Sequence, residues 1–185
     1  MIIVGIDEVG RGCWAGPVVS GAVILGEPIE GLKDSKKLSK KRREELTKEI
    51  HDKAVAVGIG WVDAETLDRV GITLAVKMSM ELALQQIEVV YDKVIIDGHI
   101  NFLEDYPKTE CLIKADDLIP AVSAASIVAK VARDNFMADM DKKHPGYGFE
   151  AHVGYGTAAH VQALQEKGIC DLHRKSFKPI KAMVS

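Results

Sequence analysis

Apolar residues recur along this chain in two patterns, as short β-branched runs and as longer stretches with helical spacing. The short runs predict strands at 2–6, 17–25, 54–62, 93–97 and 111–113. The longer stretches predict helices at 39–52, 63–70, 73–90, from residue 120 onward and at 157–165. This order of elements predicts an α/β fold in which helices pack on a mixed sheet.

The first strand is the most strongly patterned element. Ile2, Ile3, Val4 and Ile6 are almost continuous, which is typical of a strand buried on both faces in the interior of a sheet. Only a short connection separates it from the strand at 17–25. We therefore expect the first two strands to be antiparallel.

The helix that begins at Pro120 is rich in alanine and other apolar residues. We expect it to be buried until Arg133 and Asp134 bring it into solvent. Ser123 and Ser126 are interpreted as small residues that permit close helix packing. No catalytic role is needed to explain them.

The composition is typical of a single compact domain. A chain of 185 residues buries about 70% of its extended surface, so we expect one domain over 1–185, with 140–185 as a helical and loop subregion. Three cysteines without Cys-x-x-Cys spacing indicate neither a disulfide framework nor a structural zinc site.

We find no signal peptide or membrane-spanning run and expect a soluble, cytoplasmic monomer without membrane contact. The net charge of -3 is weak evidence about nucleic-acid binding, which depends on local charge.

Acidic residues follow predicted strands at three places. Asp7 and Glu8 end the first strand, Asp97 ends the fourth, and a further carboxylate stands at 116 or 117. A buried carboxylate is costly unless it is paired with a cation or bound to a metal. If these strands are neighbours, the acids form an oxygen-rich cluster suited to two Mg²⁺ or Mn²⁺ ions about 4 Å apart. The members of this candidate cluster are Asp7, Glu8, Asp97 and Asp116.

Three segments have the features of a phosphate or nucleic-acid contact. Gly10-Arg11-Gly12 presents backbone amides beside a guanidinium, and Lys36 lies in the strongly basic stretch 31–43. Tyr155 lies in a glycine-rich loop, where a base or sugar can stack on it.

Each feature also has a purely structural interpretation. Asp7 and Glu8 can form a strand-end pair with a salt bridge to Arg11, and Asp97 can begin a tight turn. The basic stretch can be a solvated helix face, and Tyr155 can merely anchor its loop.

The motifs and their order resemble those of the ribonuclease HII family. They are GIDEVGRG at 5–12, AGPVV at 15–19, DSKKL at 34–38, IIDG at 95–98, KAD at 114–116, SAASIVAKVARD at 123–134, GYGT at 154–157 and HRKSF at 173–177. The resemblance covers nearly the whole chain, and GIDEVGRG is its most specific motif. The short interval between Asp97 and Asp116 is more typical of bacterial than of archaeal members.

The resemblance implies an α/β, ribonuclease H-like fold with a mixed five-stranded sheet flanked by helices and a small helical C-terminal part. It implies metal-dependent endonucleolytic cleavage of the RNA strand of RNA/DNA hybrids, with two Mn²⁺ or Mg²⁺ ions taking part in catalysis. It also implies cleavage on the 5′ side of single ribonucleotides in DNA, as in ribonucleotide excision repair, with 3′-hydroxyl and 5′-phosphate products. The implied partners are RNA/DNA hybrids and DNA that contains ribonucleotides.

The resemblance also implies roles for individual residues. The implied catalytic and metal-binding residues are Asp7, Glu8, Asp97 and Asp116. Gly10-Arg11-Gly12 would read the ribose 2′-hydroxyl largely through backbone atoms. Tyr155 would stack on the deoxyribose side of the junction, and Lys36 would contact a phosphate.

Two positions depart from the family pattern. Asp117 stands where a small or hydroxyl residue is usual and adds negative charge near the proposed metal site. Val153 stands where a basic residue commonly precedes Gly-Tyr.

Two other functions stay open: another nuclease of the same fold class, and a non-catalytic hybrid-binding protein. The Gly-Arg-Gly turn argues against the first, and the presence of all four acids argues against the second.

Overall fold

The structure is a computed structural model that describes residues 1–32 and 35–184. Lys33 and Asp34, which belong to the basic stretch and the DSKKL motif, lie outside the described residues. The strands are β1 (Ile3–Val9), β2 (Val18–Leu25), β3 (Ala54–Val62), β4 (Lys93–Asp97) and β5 (Thr109–Leu112). The helices are α1 (Lys40–Lys53), α2 (Ala64–Val70), α3 (Ile72–Leu84), α4 (Ala115–Leu118), α5 (Pro120–Lys143), α6 (Phe149–His152), α7 (Ala158–Lys167) and α8 (Lys178–Val184), and a 3₁₀ turn at Ser35–Lys37 precedes α1.

β1 occupies the centre of a five-stranded sheet with the order β3-β2-β1-β4-β5. It pairs antiparallel with β2 and parallel with β4. The predicted mixed α/β sheet with an interior first strand is therefore confirmed, as is the antiparallel pairing of the first two strands.

Helices cover both faces of this sheet. α5 packs on β1 and β2, and α3 packs on β2 and β3. Because side chains alternate along a strand, Val4 and Ile6 join the core cluster that contains α3. Asp7 consequently lies on the other face of β1, towards α5.

α3 ends at Leu84, so the prediction that this helix reaches residue 90 is wrong. The side-chain amide of Gln86 donates to the carbonyl of Leu82 at 2.9 Å and to that of Ile59, on β3, at 2.8 Å. It thus takes the Leu82 carbonyl that a continuing helix would use for its own backbone. The backbone N–H groups of Gln86 and Ile87 bond instead to carbonyls three residues earlier, which tightens and ends the last turn.

Arg133 and Asp134 do not bring α5 into solvent, and that prediction is also wrong. The helix continues to Lys143, and Arg133 has no exposed surface. Asp134 is paired with Lys130 at 2.8 Å and with Arg43 at 3.8 Å. A charge in an apolar helix usually marks its solvent face, but here the guanidinium is buried because loop carbonyls accept its hydrogen bonds.

Cys13, Cys111 and Cys170 are free thiols. Across the described ranges, none of the helices combines the length and the apolar character needed to cross a bilayer.

Candidate active site

Asp7 and Asp97 lie side by side at one edge of the sheet. β1 and β4 are parallel, and Ile6 is level with Ile96, so the next residue of each strand is an acid. Neighbouring parallel strands carry their carboxyl ends to the same edge. The register therefore brings together two acids that are far apart in the sequence.

Asp116 enters the same cluster from the first turn of α4. Lys114, with φ 60° and ψ 36°, turns the chain into this helix. The N–H of Asp116 donates to Oδ1 of Asp97 at 3.3 Å. Carboxylate oxygens of Asp7, Asp97 and Asp116 all lie within 4.8 Å of one another.

Asp117, the other candidate at this point of the sequence, is bound by a lysine. Nζ of Lys37 donates to its two oxygens at 2.7 and 2.6 Å. This ion pair offsets the additional negative charge that Asp117 brings to the region. Between the two neighbouring acids, it is Asp116 that joins the cluster.

The electrostatics of the cluster favour a bound cation. Burial raises the pKa of Asp7 well above its ordinary value, and the Glu8 and Asp97 carboxylates raise it further. A hydrogen bond with the Ser126 side chain acts in the opposite direction. Burial also raises the pKa of Glu8, against the lowering effects of Arg11 and Lys36. A cation would offset the repulsion and the lost hydration of these converging carboxylates.

Glu8 borders the same cleft as Asp7 and Asp97 but also lies beside Arg11. Nη1 of Arg11 is 3.9 Å from Oε1 of Glu8, and its guanidinium lies 5.5 Å from the centre of the Phe102 ring. The side chain of Arg11 is 44% exposed. The salt bridge considered as a structural alternative is therefore long, and it is solvent-exposed on its Arg11 side while the Glu8 side chain is only 14% exposed.

A cleft of about 330 Å³ opens on the acids. Lys36, from the turn before α1, and Tyr155, from the loop between α6 and α7, form part of its walls. Tyr155 is 42% exposed. The fold thus brings both predicted nucleic-acid contacts to the acidic cluster.

Ser126 and Lys130 also line this cleft, although the sequence interpretation gave neither a role there. The hydroxyl of Ser126 bonds to Asp7 and lies 3.0 Å from the hydroxyl of Ser35. Ser126, Lys130 and Asp134 recur every four residues on α5 and so share one face. This polar stripe on a largely apolar helix is the sequence signal that identifies them.

Arg133 joins the loop after β1 to the loop before α7. It donates to the carbonyls of Pro17 at 2.8 Å, Ala15 at 3.0 Å and Val153 at 2.7 Å. Gly10 has φ 89°, and a Cβ there would lie 2.3 Å from Nε of Arg133. Glycine at position 10 therefore permits both the turn and the close approach of the buried guanidinium.

Arg174, of the HRKSF motif, supports the same region from the C-terminal segment. Its side chain is fully buried and donates to the carbonyls of Gly16 at 3.0 Å and Arg11 at 3.1 Å. Its backbone N–H donates to the carbonyl of Trp14 at 2.8 Å. Arg174 therefore ties the carbonyl of Arg11, and the loop that follows it, to the C-terminal segment.

Two neutral histidines hold the backbone of Tyr155. Nδ1 of His173 accepts from the N–H of Cys170 at 2.9 Å, so its Nε2 is available to donate to Nε2 of His160 at 3.0 Å. Nδ1 of His160 then donates to the carbonyl of Tyr155 at 2.9 Å. Burial lowers the pKa of His160, and it lowers that of His173 to about 4, so both rings are neutral at pH 7.

Comparisons with known proteins agree with this architecture. The family model of ribonuclease HII matches residues 4–180. A ribonuclease HII of Coxiella burnetii is 47% identical over 186 residues, which cover 99% of this chain and 91% of that protein.

Solved structures show the same similarity. The ribonuclease H2 of Pyrococcus horikoshii OT3 superposes with a TM-score of 0.84 at 24% identity, over 99% of this chain and 97% of the other. The RNase HII of Archaeoglobus fulgidus, solved in complex with PCNA, gives 0.82 at 29% identity, over 96% of both chains. Bst-RNase HIII in complex with Mn²⁺ gives 0.74 at 20% identity, over 100% of this chain and 69% of the other.

The fold thus defines a protein of the ribonuclease H-like class. Within that class, the chain belongs to the ribonuclease HII family and is a type 2 ribonuclease H, an endoribonuclease. The resemblance carried by the sequence motifs is confirmed.

Proposed function

We propose that this protein cleaves the RNA strand of RNA/DNA hybrids and cuts DNA on the 5′ side of single ribonucleotides. The products are a 3′-hydroxyl and a 5′-phosphate, and the reaction depends on Mn²⁺ or Mg²⁺. The observation that carries the proposal is the convergence of Asp7, Asp97 and Asp116 within 4.8 Å, beside a cleft lined by Lys36 and Tyr155.

The donor set fits hard divalent ions. Asp7, Asp97 and Asp116 supply carboxylate oxygens, which Mg²⁺ and Mn²⁺ prefer, and Glu8 borders the same cleft. When bound, two such ions would orient the attacking water and stabilise the leaving oxygen of a phosphodiester. Mn²⁺ is the ion in the complex of Bst-RNase HIII.

Neighbouring groups orient these carboxylates. The hydroxyl of Ser126 bonds to Asp7, and the N–H of Asp116 donates to Asp97. Hydrogen bonds of this kind restrict the rotation of ligand side chains and so reduce the ordering cost when an ion binds.

Two loops are suited to reading a junction between ribonucleotide and deoxynucleotide. The side of Gly12 where a Cβ would stand is open: apart from Gly12 and its two neighbours in the chain, no atom of the described residues lies within 4 Å of that position. A sugar can therefore approach the backbone of Gly10-Arg11-Gly12 closely enough for a hydrogen bond to its 2′-hydroxyl. Tyr155, on the facing loop, can stack on the deoxyribose next to it.

Lysines complete the proposed substrate cleft. Lys36 and Lys130 line the cleft near the acids, where the phosphates of the substrate would pass. Cations at this position offset the repulsion between the acidic cluster and a polyanion, and their contribution to binding weakens with salt.

Cleavage of a labelled DNA duplex with one ribonucleotide tests the proposal. The assay compares Mg²⁺, Mn²⁺ and chelator, and maps the cut beside that of a uniform RNA/DNA hybrid. We expect a metal-dependent cut on the 5′ side of the ribonucleotide, with 3′-hydroxyl and 5′-phosphate ends.

Asp7→Asn is the matched inactive variant, because it keeps the shape of the side chain and removes its charge. We expect it to lose cleavage while it still binds the hybrid. Cleavage of the uniform hybrid alone would reject the junction assignment, and cleavage in the presence of chelator would reject the metal dependence.

A further inference from the structure

A second group of metal-binding side chains lies at the C-terminal end of α5. It contains no residue of the acidic cluster. A ring nitrogen of His144, Sγ of Cys170 and a carboxylate oxygen of Asp171 all lie within 4.8 Å of one another. His144 follows the last residue of α5, and Cys170 and Asp171 follow α7.

We propose that His144, Cys170 and Asp171 bind a Zn²⁺ ion. Imidazole nitrogen, thiolate sulfur and carboxylate oxygen are the three protein ligand types of zinc. A thiolate in the set disfavours Mg²⁺, which prefers oxygen ligands alone. The absence of Cys-x-x-Cys spacing does not conflict with this site, because the fold supplies one ligand from the end of α5 and two from a later segment.

The distances require a small local adjustment. Nε2 of His144 is 3.4 Å from Oδ1 of Asp171, and the widest separation within the set is at most 4.8 Å. Zinc bonds of about 2.0 to 2.3 Å in a tetrahedral site hold the ligand atoms roughly 3.5 Å apart. The Asp171 side chain is 80% exposed and can rotate to close the difference. Water then takes the fourth position.

Cys170 is oriented by its neighbour His173. Sγ of Cys170 is 3.2 Å from Nδ1 of His173, and the backbone N–H of Cys170 donates to the same nitrogen. His173 lies outside the ligand set and contacts the sulfur through its unprotonated nitrogen, so the thiol S–H is the donor in this contact before zinc binds. On binding, the Cys170 thiol releases its proton to solvent and the sulfur forms a bond to zinc, with no change of oxidation state.

This ion would connect the two ends of the segment from residue 144 to residue 171. That segment includes α6, the Tyr155 loop and α7. Zinc should therefore stabilise the segment without contributing a ligand to the acidic cluster. At saturating zinc we expect the Tm of the chelator-treated protein to rise by about 5 °C.

Co²⁺ titration of the full chain tests the site, because cobalt reports on its ligands. Cobalt bound to a thiolate has a near-ultraviolet charge-transfer band, which a site made only of carboxylates lacks. We expect this band in the wild type and its loss when Zn²⁺ is added in competition. Cys170→Ser should abolish it, and His144→Ala and Asp171→Ala should each weaken cobalt binding at least tenfold.

Cys111→Ser is the matched control, because it removes a partly buried thiol on β5. We expect this variant to keep the band. Circular dichroism checks that each variant is folded, and exposed Asp171 provides a variant with little structural risk. The proposal is overturned if the wild type shows no band, if the band survives in Cys170→Ser, or if Asp171→Ala binds cobalt as tightly as the wild type does.

Discussion

Arg133 and Arg174 are both fully buried and bind consecutive carbonyl groups of the same loop. Arg133 donates to the carbonyls of Ala15 and Pro17, and Arg174 donates to that of Gly16 between them. Burial lowers the pKa of Arg174 to about 10, so it is still charged at pH 7. Two buried cations thus lie beneath the loop that we propose as the 2′-hydroxyl reader.

Arg174→Met should lower the free energy of unfolding by about 3 kcal/mol, because it removes the fully buried donor to the carbonyls of Gly16 and Arg11. Urea unfolding followed by circular dichroism measures the change. Lys142→Met, which removes an exposed pair with Asp139, is the control and should change stability by less than about 0.5 kcal/mol. Equal stability of Arg174→Met and wild type would show that burying the charge costs as much as its hydrogen bonds contribute.

Asp116→Asn and Asp117→Asn should differ sharply although the residues are adjacent. We expect the first to reduce cleavage by about 1,000-fold or more, because the acids act as one unit. The second removes a partner of Lys37 and should stay within about tenfold of wild type. Single-turnover cleavage at saturating metal provides the comparison, and similar losses in both variants would contradict the selection of Asp116.

Tyr155→Ala should impair cleavage at a single ribonucleotide more than cleavage of a uniform hybrid. A lost stacking contact of about 1.4 kcal/mol corresponds to about a tenfold loss at the junction. Tyr155→Phe keeps the ring and serves as the control, with near wild-type activity on both substrates. If alanine reduces cleavage of both substrates equally, Tyr155 only anchors its loop.

Lys36→Ala should reduce the salt dependence of hybrid binding. Loss of one phosphate contact lowers the slope of log K against log salt by about one. Binding by catalytically inactive Asp7→Asn, with and without the Lys36 change, isolates this effect from cleavage. Lys142→Ala, on the exposed surface of α5, is the control and should leave the slope unchanged. If Lys36→Ala also leaves the slope unchanged, the basic stretch is a solvated helix face and does not contact phosphate.

Stability should fall as the pH drops from about 6.5 towards 4. The pKa of His160 is lowered by burial, and that of His173 is lowered to about 4, whereas both titrate normally once unfolded. The unfolded chain therefore binds protons that the folded chain does not, which favours unfolding below pH 6.5 and not above it. We expect a loss of about 1 kcal/mol between pH 7 and pH 5, with chelator present throughout.

Urea unfolding at the two pH values measures this loss, and His160→Gln should reduce it. His51→Gln, at an exposed position of α1, should retain the whole effect. A loss of the same size in His160→Gln would assign the acid sensitivity to other groups.

Local patterns in the sequence determined most of the secondary structure. The bounds of β3 and β4 agree with expectation, and the helices predicted from residues 39, 63 and 157 begin one residue later, with Ser39, Asp63 and Thr157 as their N-caps. Strand character and capping depend on residues close together in the chain. The order of these elements also indicated a mixed sheet with an interior first strand. The motifs identified the family for the same reason, since each is a short run of adjacent residues.

Only the tertiary structure decided which polar groups meet. The parallel register of β1 and β4 brings Asp7 to Asp97, the turn at Lys114 selects Asp116 over Asp117, and distant loop carbonyls permit the burial of Arg133. Gln86 ends α3 early through a contact with β3. These outcomes depend on hydrogen bonds and packing between residues far apart in the chain, and neither hydrophobic period nor local propensity contains that information.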